Sequence, residues 1–102
     1  MIHVVASIRV KAGRLGDFLE LLKSTARQVR KEKGCLQYVP TVDIVSGLPP
    51  QIMDANVVTL IEEWESLEAL RDHLVTPHIK AFFEKRKDMV EGASLVKVLQ
   101  EA

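Results

Sequence analysis

Cysteine is almost absent from this chain. Cys35 is the only cysteine among 102 residues, so an internal disulfide is excluded and nothing requires an oxidising compartment. Long apolar runs are absent as well, and the longest ones fall far below the length that spans a membrane. The N-terminal residues lead directly into a strand-like pattern rather than into a targeting segment. We therefore expect a cytoplasmic protein with no membrane partner.

Net charge is also absent. Fourteen Lys and Arg residues are balanced by fourteen Asp and Glu residues. This balance creates no long-range field that would attract nucleic acid or an anionic membrane, so neither is an expected partner. No paired aromatic residues decorate a strand, which further argues against RNA binding.

Motifs for metal, phosphate and nucleophilic chemistry are missing. The three histidines and Cys35 show no metal-ligand spacing such as HxxxH or CxxC, so a metal site is not expected. No glycine-rich phosphate loop or Ser-His-Asp set is present. Glu62 and Glu63 are strand neighbours that point to opposite faces, so the pair cannot cooperate on one bond.

The length of the chain fits one domain, residues 1–102. It contains no repeat, linker or low-complexity stretch that would divide it. A domain of this size buries only about two-thirds of the surface that its unfolded chain exposes. Association with a second copy would add buried area.

The first half of the chain changes from a strand pattern to a helix pattern and back. Residues Ile2–Val10 alternate with period two, which is typical of a half-buried strand. In Leu15–Val29 apolar residues recur at helical spacing, and a basic turn follows them. Residues Cys35–Val45 are rich in β-branched and aromatic types and predict a second strand, in which Pro40 indicates an edge position or a bulge.

The second half begins with a loop over residues 46–56. Val57–Glu65 predicts a third strand. Ser66 can cap a short helix that reaches about Leu74. Thr76 and Pro77 restart a helix that ends near Val90, and a last strand covers Ser94–Gln100.

The predicted order is βαββαβ, with the second helical segment in two parts. This order indicates an α+β, ferredoxin-like fold, in which helices cover one face of an antiparallel sheet. Yet both faces of the third strand carry apolar residues, with Val57 and Ile61 on one side and Val58 and Leu60 on the other. The face without helices needs a cover, and the sheet of a second copy would supply it. We therefore expect a homodimer.

Several short segments together carry a resemblance to a known family. They are Glu32-Lys33-Gly34-Cys35, Tyr38-Val39-Pro40, Asp43, Glu62-Glu63-Trp64-Glu65-Ser66, Ala69-Leu70, His73 and Thr76-Pro77-His78-Ile79-Lys80. Through these segments the chain resembles the antibiotic biosynthesis monooxygenase family, and most of all its bacterial quinol monooxygenase branch. The resemblance extends over essentially the whole chain. The resemblance implies a dimeric α+β barrel with a pocket between sheet and helices in each subunit. It also implies oxidation of electron-rich phenols, quinols or anthrones by molecular oxygen, with no metal, flavin or other cofactor.

Three residues are candidates for the catalytic group. Trp64, the only tryptophan, shares strand parity with Val58 and Leu60, and the family pattern makes it a cavity wall with one N–H donor. His78 lies in the first turn of a predicted helix, where a neutral imidazole is favoured and can act as a base. His73 is a second candidate near the end of the preceding short helix. Each residue also has a plain structural interpretation, as core tryptophan or helix-end histidine.

Further residues are candidates for substrate binding. Tyr38 could donate a hydrogen bond to substrate, and Asp43 could orient a histidine or join a salt bridge in the dimer. The two have opposite strand parity, so only a bulge at Pro40 would aim both at one pocket. Phe82 and Phe83 are expected to form apolar lining, and Met53 could belong to a loop lid. The basic residues of the helices, Arg86 among them, predict a solvated surface.

The leading hypothesis is a cofactor-independent monooxygenase acting on a small quinol-like aromatic and molecular oxygen. Haem degradation is disfavoured, because the family's haem enzymes place an asparagine where Ser7 stands and an iron-binding histidine near Phe83. Two other functions stay open: a non-catalytic dimeric ligand-binding or stress module, and an isomerase of a small oxygenated metabolite. Fold alone does not decide among them.

Overall fold

Seven elements form in the predicted order. The computed structural model describes residues 1–102. The strands and helices are β1 (Ile2–Arg9), α1 (Leu15–Val29), β2 (Cys35–Val42), β3 (Val57–Trp64), α2 (Leu67–Leu74), α3 (Pro77–Lys85) and β4 (Leu95–Gln100). The predicted α+β, ferredoxin-like βαββαβ fold is confirmed. The longest helix, α1, has 15 residues, and none of the helices has the length and apolarity needed to cross a membrane.

The four strands form one antiparallel sheet in the order β2-β3-β1-β4. Strand β1 lies between β3 and β4, so that Ala6 is opposite Leu60 on one side and Val96 on the other, whereas β2 lies at an edge of the sheet. Pro40 therefore lies on an edge strand, as predicted, where a missing N–H costs no ladder bond. The predicted alternative of a bulge at Pro40 is wrong. Pro40 lies in regular register with Leu60, and the register shift falls between Cys35 and Gln37.

One face of the sheet packs against the helices. On the central strands every second residue is buried, among them Val4 and Ile8 on β1 and Val58 and Trp64 on β3. The apolar stripe of α1 covers this face, and its members Phe18, Leu22, Ala26 and Val29 are all fully buried. The period-two and helical patterns thus predicted the core correctly, including the side to which Trp64 points.

The opposite face of the sheet is not covered by helices. Ile61 in the middle of β3 remains 38% exposed, and its neighbour Val5 on β1 is only partly buried. On the edge strand β4, Leu95 and Leu99 pair with Ser7 and His3 of this same face and are also exposed.

Several predicted elements were too long. The second strand ends at Val42 rather than Val45, because Val42 already pairs with Val58 and β3 has only one residue left beyond it. The third helix ends at Lys85 rather than near Val90. The chain after it turns back to the end of β1, where Val90 forms an isolated bridge with Val10. The ladder partners of β4 begin at Leu95 rather than at Ser94.

The predicted helix caps bring two histidines towards each other. The Ser66 hydroxyl accepts the N–H of Ala69 at 3.1 Å and begins α2. The Thr76 hydroxyl accepts the N–H of Ile79 and begins α3, with Pro77 in its first turn. As a result His73 stands in the last turn of α2 and His78 in the first turn of α3.

Candidate active site

A cavity of about 210 Å³ lies between the helix-covered face of the sheet and helices α2 and α3. Twelve of its sixteen lining residues are hydrophobic. The other four are Glu62, His73, Arg86 and Ser94, and Tyr38, which is counted with the hydrophobic residues, adds its hydroxyl group. The edge strand β4 contributes Val96 and Val98, which are 56% and 52% exposed, so the cavity opens on that side.

A buried carboxyl group lies in this apolar cavity. Glu62 is 7% exposed because its place on β3 gives it the same parity as Leu60 and Trp64. The indole Nε1–H of Trp64 donates a hydrogen bond to Oε1 of Glu62 at 2.9 Å. Burial raises the pKa of Glu62 to about 7, with a smaller contribution from the charge of Glu32, and the Trp64 hydrogen bond opposes the rise. Glu62 can therefore gain or lose a proton near neutral pH.

His73 provides a second proton-exchanging group. It is 2% exposed, its ring stacks on that of Trp64 with centroids 4.6 Å apart, and the edge of Tyr38 meets it at 5.6 Å. Burial lowers the pKa of His73, although its hydrogen bonds to Glu32 act in the opposite direction. His73 is thus held as the neutral imidazole, which is the form that accepts a proton.

Glu32 joins the two histidines. Nδ1 of His73 lies 2.9 Å from Oε2 of Glu32 and 3.2 Å from Oε1, so the second ring nitrogen, Nε2, is left for the cavity. Nε2 of His78 lies 2.6 Å from the same Oε2 atom. Glu32 reaches both rings because the turn after α1 approaches α2 closely at Gly34. That glycine has φ +86°, and a Cβ there would stand 2.6 Å from Cβ of Ala69.

The remaining polar groups of the cavity differ in what they can do. Tyr38 is buried, and its pKa is raised by burial and by the nearby carboxylates, so its hydroxyl remains a hydrogen-bond donor. Arg86 lies over the ring of Phe83 at 4.7 Å and over that of Phe82 at 5.5 Å, and no carboxylate pairs with it. The expectation that Arg86 belongs to a solvated helix surface is wrong, because the two aromatic rings half-bury it.

The structure brings together four of the residues that the sequence singled out. Tyr38, His73, Phe82 and Phe83 all line the cavity. Trp64 lies directly behind them, fully buried, and contacts the cavity groups His73 and Glu62 rather than the cavity itself.

Three other candidates lie outside the cavity lining. His78 stands on the far side of Glu32 and borders a shallow surface depression with Gln28 and Lys85. Asp43 follows the end of β2, and its carboxylate accepts the N–H of Asp54 at 2.9 Å within the adjoining loop. Met53 lies in that same loop and is 47% exposed.

Two carboxylates of the site were missed as site residues. Glu62 could have been found, since its parity with Leu60 and Trp64 places a carboxyl group on the buried face of a strand. No pattern in the sequence indicated that Glu32 belongs to the site. It lies in the turn after α1, and its partners His73 and His78 follow 41 and 46 positions later in the chain.

The chain is similar to known proteins of one family. The profile of the antibiotic biosynthesis monooxygenase family matches residues 1–85. The probable quinol monooxygenase YgiN of Escherichia coli K12 is 38% identical, over 89% of this chain and 90% of YgiN.

Solved structures share the fold along the whole chain. A conserved protein from Methanosarcina mazei Go1 superposes with a TM-score of 0.87 and 24% identity, covering 99% of this chain and 92% of that one. A crystal structure of an antibiotic biosynthesis monooxygenase gives a TM-score of 0.84 at 24% identity, covering 100% of this chain and 99% of that one. With the fold, the family profile and a curated relative in agreement, the chain belongs to the antibiotic biosynthesis monooxygenase family.

Proposed function

We propose that this protein is a cofactor-independent monooxygenase that oxidises a small quinol or phenol with molecular oxygen. The observation that carries the proposal is the position of His73, a neutral base in an apolar cavity beside the hydroxyl-bearing Tyr38 and the titratable Glu62. An apolar protein cavity of about 150 Å³ holds a benzene molecule. A cavity of about 210 Å³ therefore suits a single aromatic ring with hydroxyl substituents.

The cavity groups divide the work of binding and deprotonation. The rings of Phe82 and Phe83 enclose the flat substrate, and the Tyr38 hydroxyl donates a hydrogen bond to one substrate oxygen. Nε2 of His73 accepts a phenolic proton, and Trp64 holds the His73 ring in place from behind. Of the two histidines proposed as base, His73 is the one that borders the cavity, whereas His78 acts through Glu32. Asp43 and Met53 shape the loop beyond β2 and act at most on substrate entry.

The reaction follows from removing the phenolic proton. The electron-rich anion passes one electron to molecular oxygen, and the two radicals combine into a peroxide anion, which takes up one proton and becomes a hydroperoxide of the substrate. The O–O bond then breaks: one oxygen atom stays on the ring product, which leaves as a hydroxylated quinone, and the other leaves as water. The protein contributes positioning, deprotonation and exclusion of bulk water.

We further propose that the protein works as a homodimer. The sheet face without helices presents partly exposed apolar residues, with Ile61 and Val5 at its centre and Leu95 and Leu99 at its β4 edge. Another copy of the same face would bury them. Because its single cysteine forms no disulfide, the protein is compatible with a reducing compartment, and we place it in the cytoplasm.

An isomerase is the second candidate. One specific observation favours it: His73 and Glu62 border the same cavity, and a pKa of about 7 lets Glu62 give or take a proton. Two such groups can move a proton between positions of a small oxygenated substrate without consuming oxygen.

Oxygen uptake separates these functions. Metal-free protein is incubated with a panel of substituted hydroquinones in an oxygen electrode, beside His73→Ala and the control Glu68→Ala, an exposed residue of α2 outside the cavity lining. We expect uptake above buffer autoxidation, a decrease of about 100-fold in His73→Ala, and no change in the control. A rate of oxygen uptake equal to the rate of autoxidation in buffer, for every hydroquinone, would refute the proposal. Quenching of Trp64 fluorescence without uptake would favour a ligand-binding module.

A further inference from the structure

Glu32 and His78 form a connected row with the cavity residue His73. Their side chains become more exposed along the row, at 3% for His73, 12% for Glu32 and 24% for His78. We propose that Glu32 and His78 act as a proton relay that carries the substrate's hydroxyl proton from His73 to solvent. The relay rests on the oxidation proposed above, because that reaction deprotonates the substrate inside the cavity.

The contacts of the row are continuous. Oε2 of Glu32 lies 2.9 Å from Nδ1 of His73 and 2.6 Å from Nε2 of His78, so each nitrogen is within hydrogen-bond distance of one shared oxygen. At these distances a proton must lie between the carboxylate oxygen and each ring. Orienting the His73 ring requires only one carboxylate. His78, which contacts the same oxygen atom and is more exposed, extends the row to the surface.

His73 has no comparable exit elsewhere. The titratable groups that face it are Glu32 and His78 on one side and Tyr38 and Glu62 on the cavity side. Tyr38 already carries its proton, and its raised pKa keeps it there. Glu62 is buried in the same cavity and bonded to Trp64, so a proton passed to it stays inside the site.

The proton count balances along the row. The substrate O–H bond breaks, and its proton binds Nε2 of His73, whose Nδ1 proton moves to Oε2 of Glu32. Nε2 of His78 already shares a proton with this oxygen atom, and His78 releases its Nδ1 proton to water as Glu32 takes up the proton from His73. One proton thus leaves the substrate and one enters solvent, and the proton that the peroxide anion takes up later returns along the same row and restores the Glu32 carboxylate. Glu32 and His78 are thus positioning residues that act through His73.

Histidine titrations test the shared hydrogen bonds without any substrate. Ring ¹⁵N NMR follows His73 in the unmodified protein, in Glu32→Gln and in His78→Ala, with Glu68→Gln, an exposed residue of α2, as control. Glu32→Gln should lower the pKa of His73, because the carboxylate favours the protonated ring. His78→Ala should raise it, because His78 disfavours a second positive charge nearby. A His73 titration that His78→Ala leaves unmoved overturns the relay.

Turnover with a hydroquinone tests the transfer itself. We expect His78→Ala to lower kcat by about tenfold with little change in KM, and added imidazole to restore kcat. Glu32→Gln should lower kcat similarly and should not respond to imidazole, since its amide cannot pass a proton. Unchanged turnover in His78→Ala, or a loss that imidazole fails to restore, overturns the relay. If the unmodified protein consumes no oxygen, the proposed function fails, and the titrations still decide whether the three groups are coupled.

Discussion

The indole of Trp64 and the carboxyl group of Glu62 form a buried hydrogen bond, in which Nε1 donates to Oε1 at 2.9 Å. The two residues are neighbours on one face of β3, with Glu62 facing the cavity and Trp64 behind it. The bond lowers the pKa of Glu62 against the rise caused by burial. Trp64 therefore sets the protonation of a cavity group without touching the cavity.

Trp64→Phe should raise the pKa of Glu62 above its value of about 7, because the carboxylate loses its only donor. The smaller ring should also lower the free energy of unfolding by about 2 kcal/mol, since Trp64 is fully buried. Side-chain ¹³C NMR of Glu62 and urea unfolding measure the two effects. Phe83→Leu, at a 39% exposed position, serves as the control for stability. An unmoved Glu62 titration would show that the hydrogen bond does not govern this carboxyl.

Glu62→Gln should change how stability depends on pH. The pKa of Glu62 is raised from 4.5 to about 7 in the folded protein, so between these values the folded state holds a proton that the unfolded state has lost. The contribution of Glu62 to stability is therefore present below pH 4.5 and is lost as pH rises through about 7. A glutamine carries no such dependence.

The stability gained by Glu62→Gln should thus grow by on the order of 3 kcal/mol across this range. Urea unfolding at a series of pH values measures the difference from the unmodified protein. Glu63→Gln is the matched control, since its side chain lies on the opposite face of β3 and is 24% exposed. Parallel pH curves for Glu62→Gln and the unmodified protein would refute the raised pKa.

Val98→Trp should block substrate binding without disturbing the core. Val98 borders the open side of the cavity and is 52% exposed, so a larger side chain can enter the cavity without displacing buried groups. Calorimetry with a single-ring quinol should show a Kd at least about tenfold higher than that of the unmodified protein. The control Leu48→Trp, at an exposed loop position away from the cavity, should bind as before. Equal affinity in Val98→Trp would place the binding site elsewhere.

Ile61→Lys should separate the dimer. A lysine in the middle of the face without helices places a charge where the second sheet would pack. The unmodified protein should sediment at twice 11.5 kDa, and Ile61→Lys at 11.5 kDa. Leu48→Lys, whose position is 70% exposed outside the sheet, should remain dimeric. Sedimentation of the unmodified protein at 11.5 kDa would exclude the dimer.

The sequence predicted the elements of this fold because their signals are local. Period-two alternation in β1 and the apolar stripe of α1 identify the core directly, and Ser66 and Thr76 mark the starts of two helices. Parity along β3 also placed Trp64 on the helix-covered face. The predicted ends of the strands were less accurate. Strand β2 ends at Val42 because its partner strand β3 has only one further residue to pair with.

The site depends on contacts that no local pattern contains. Glu32 contacts His73 and His78 for two reasons. The turn at Gly34 packs against α2, and the last turn of α2 lies next to the first turn of α3. The same arrangement turns His73 towards the cavity and His78 towards the surface, which spacing along the chain could not distinguish.

Isotope labelling shows whether an atom of molecular oxygen enters the substrate. Metal-free protein is incubated with a single-ring hydroquinone under ¹⁸O₂, and the product is analysed by mass spectrometry beside a sample with His73→Ala. We expect a hydroxylated quinone that contains one ¹⁸O atom, with the second ¹⁸O in water, and a product yield that falls to the autoxidation level in His73→Ala. A product without ¹⁸O, or one formed equally by the unmodified protein, by His73→Ala and by buffer alone, would contradict oxygen insertion at this cavity.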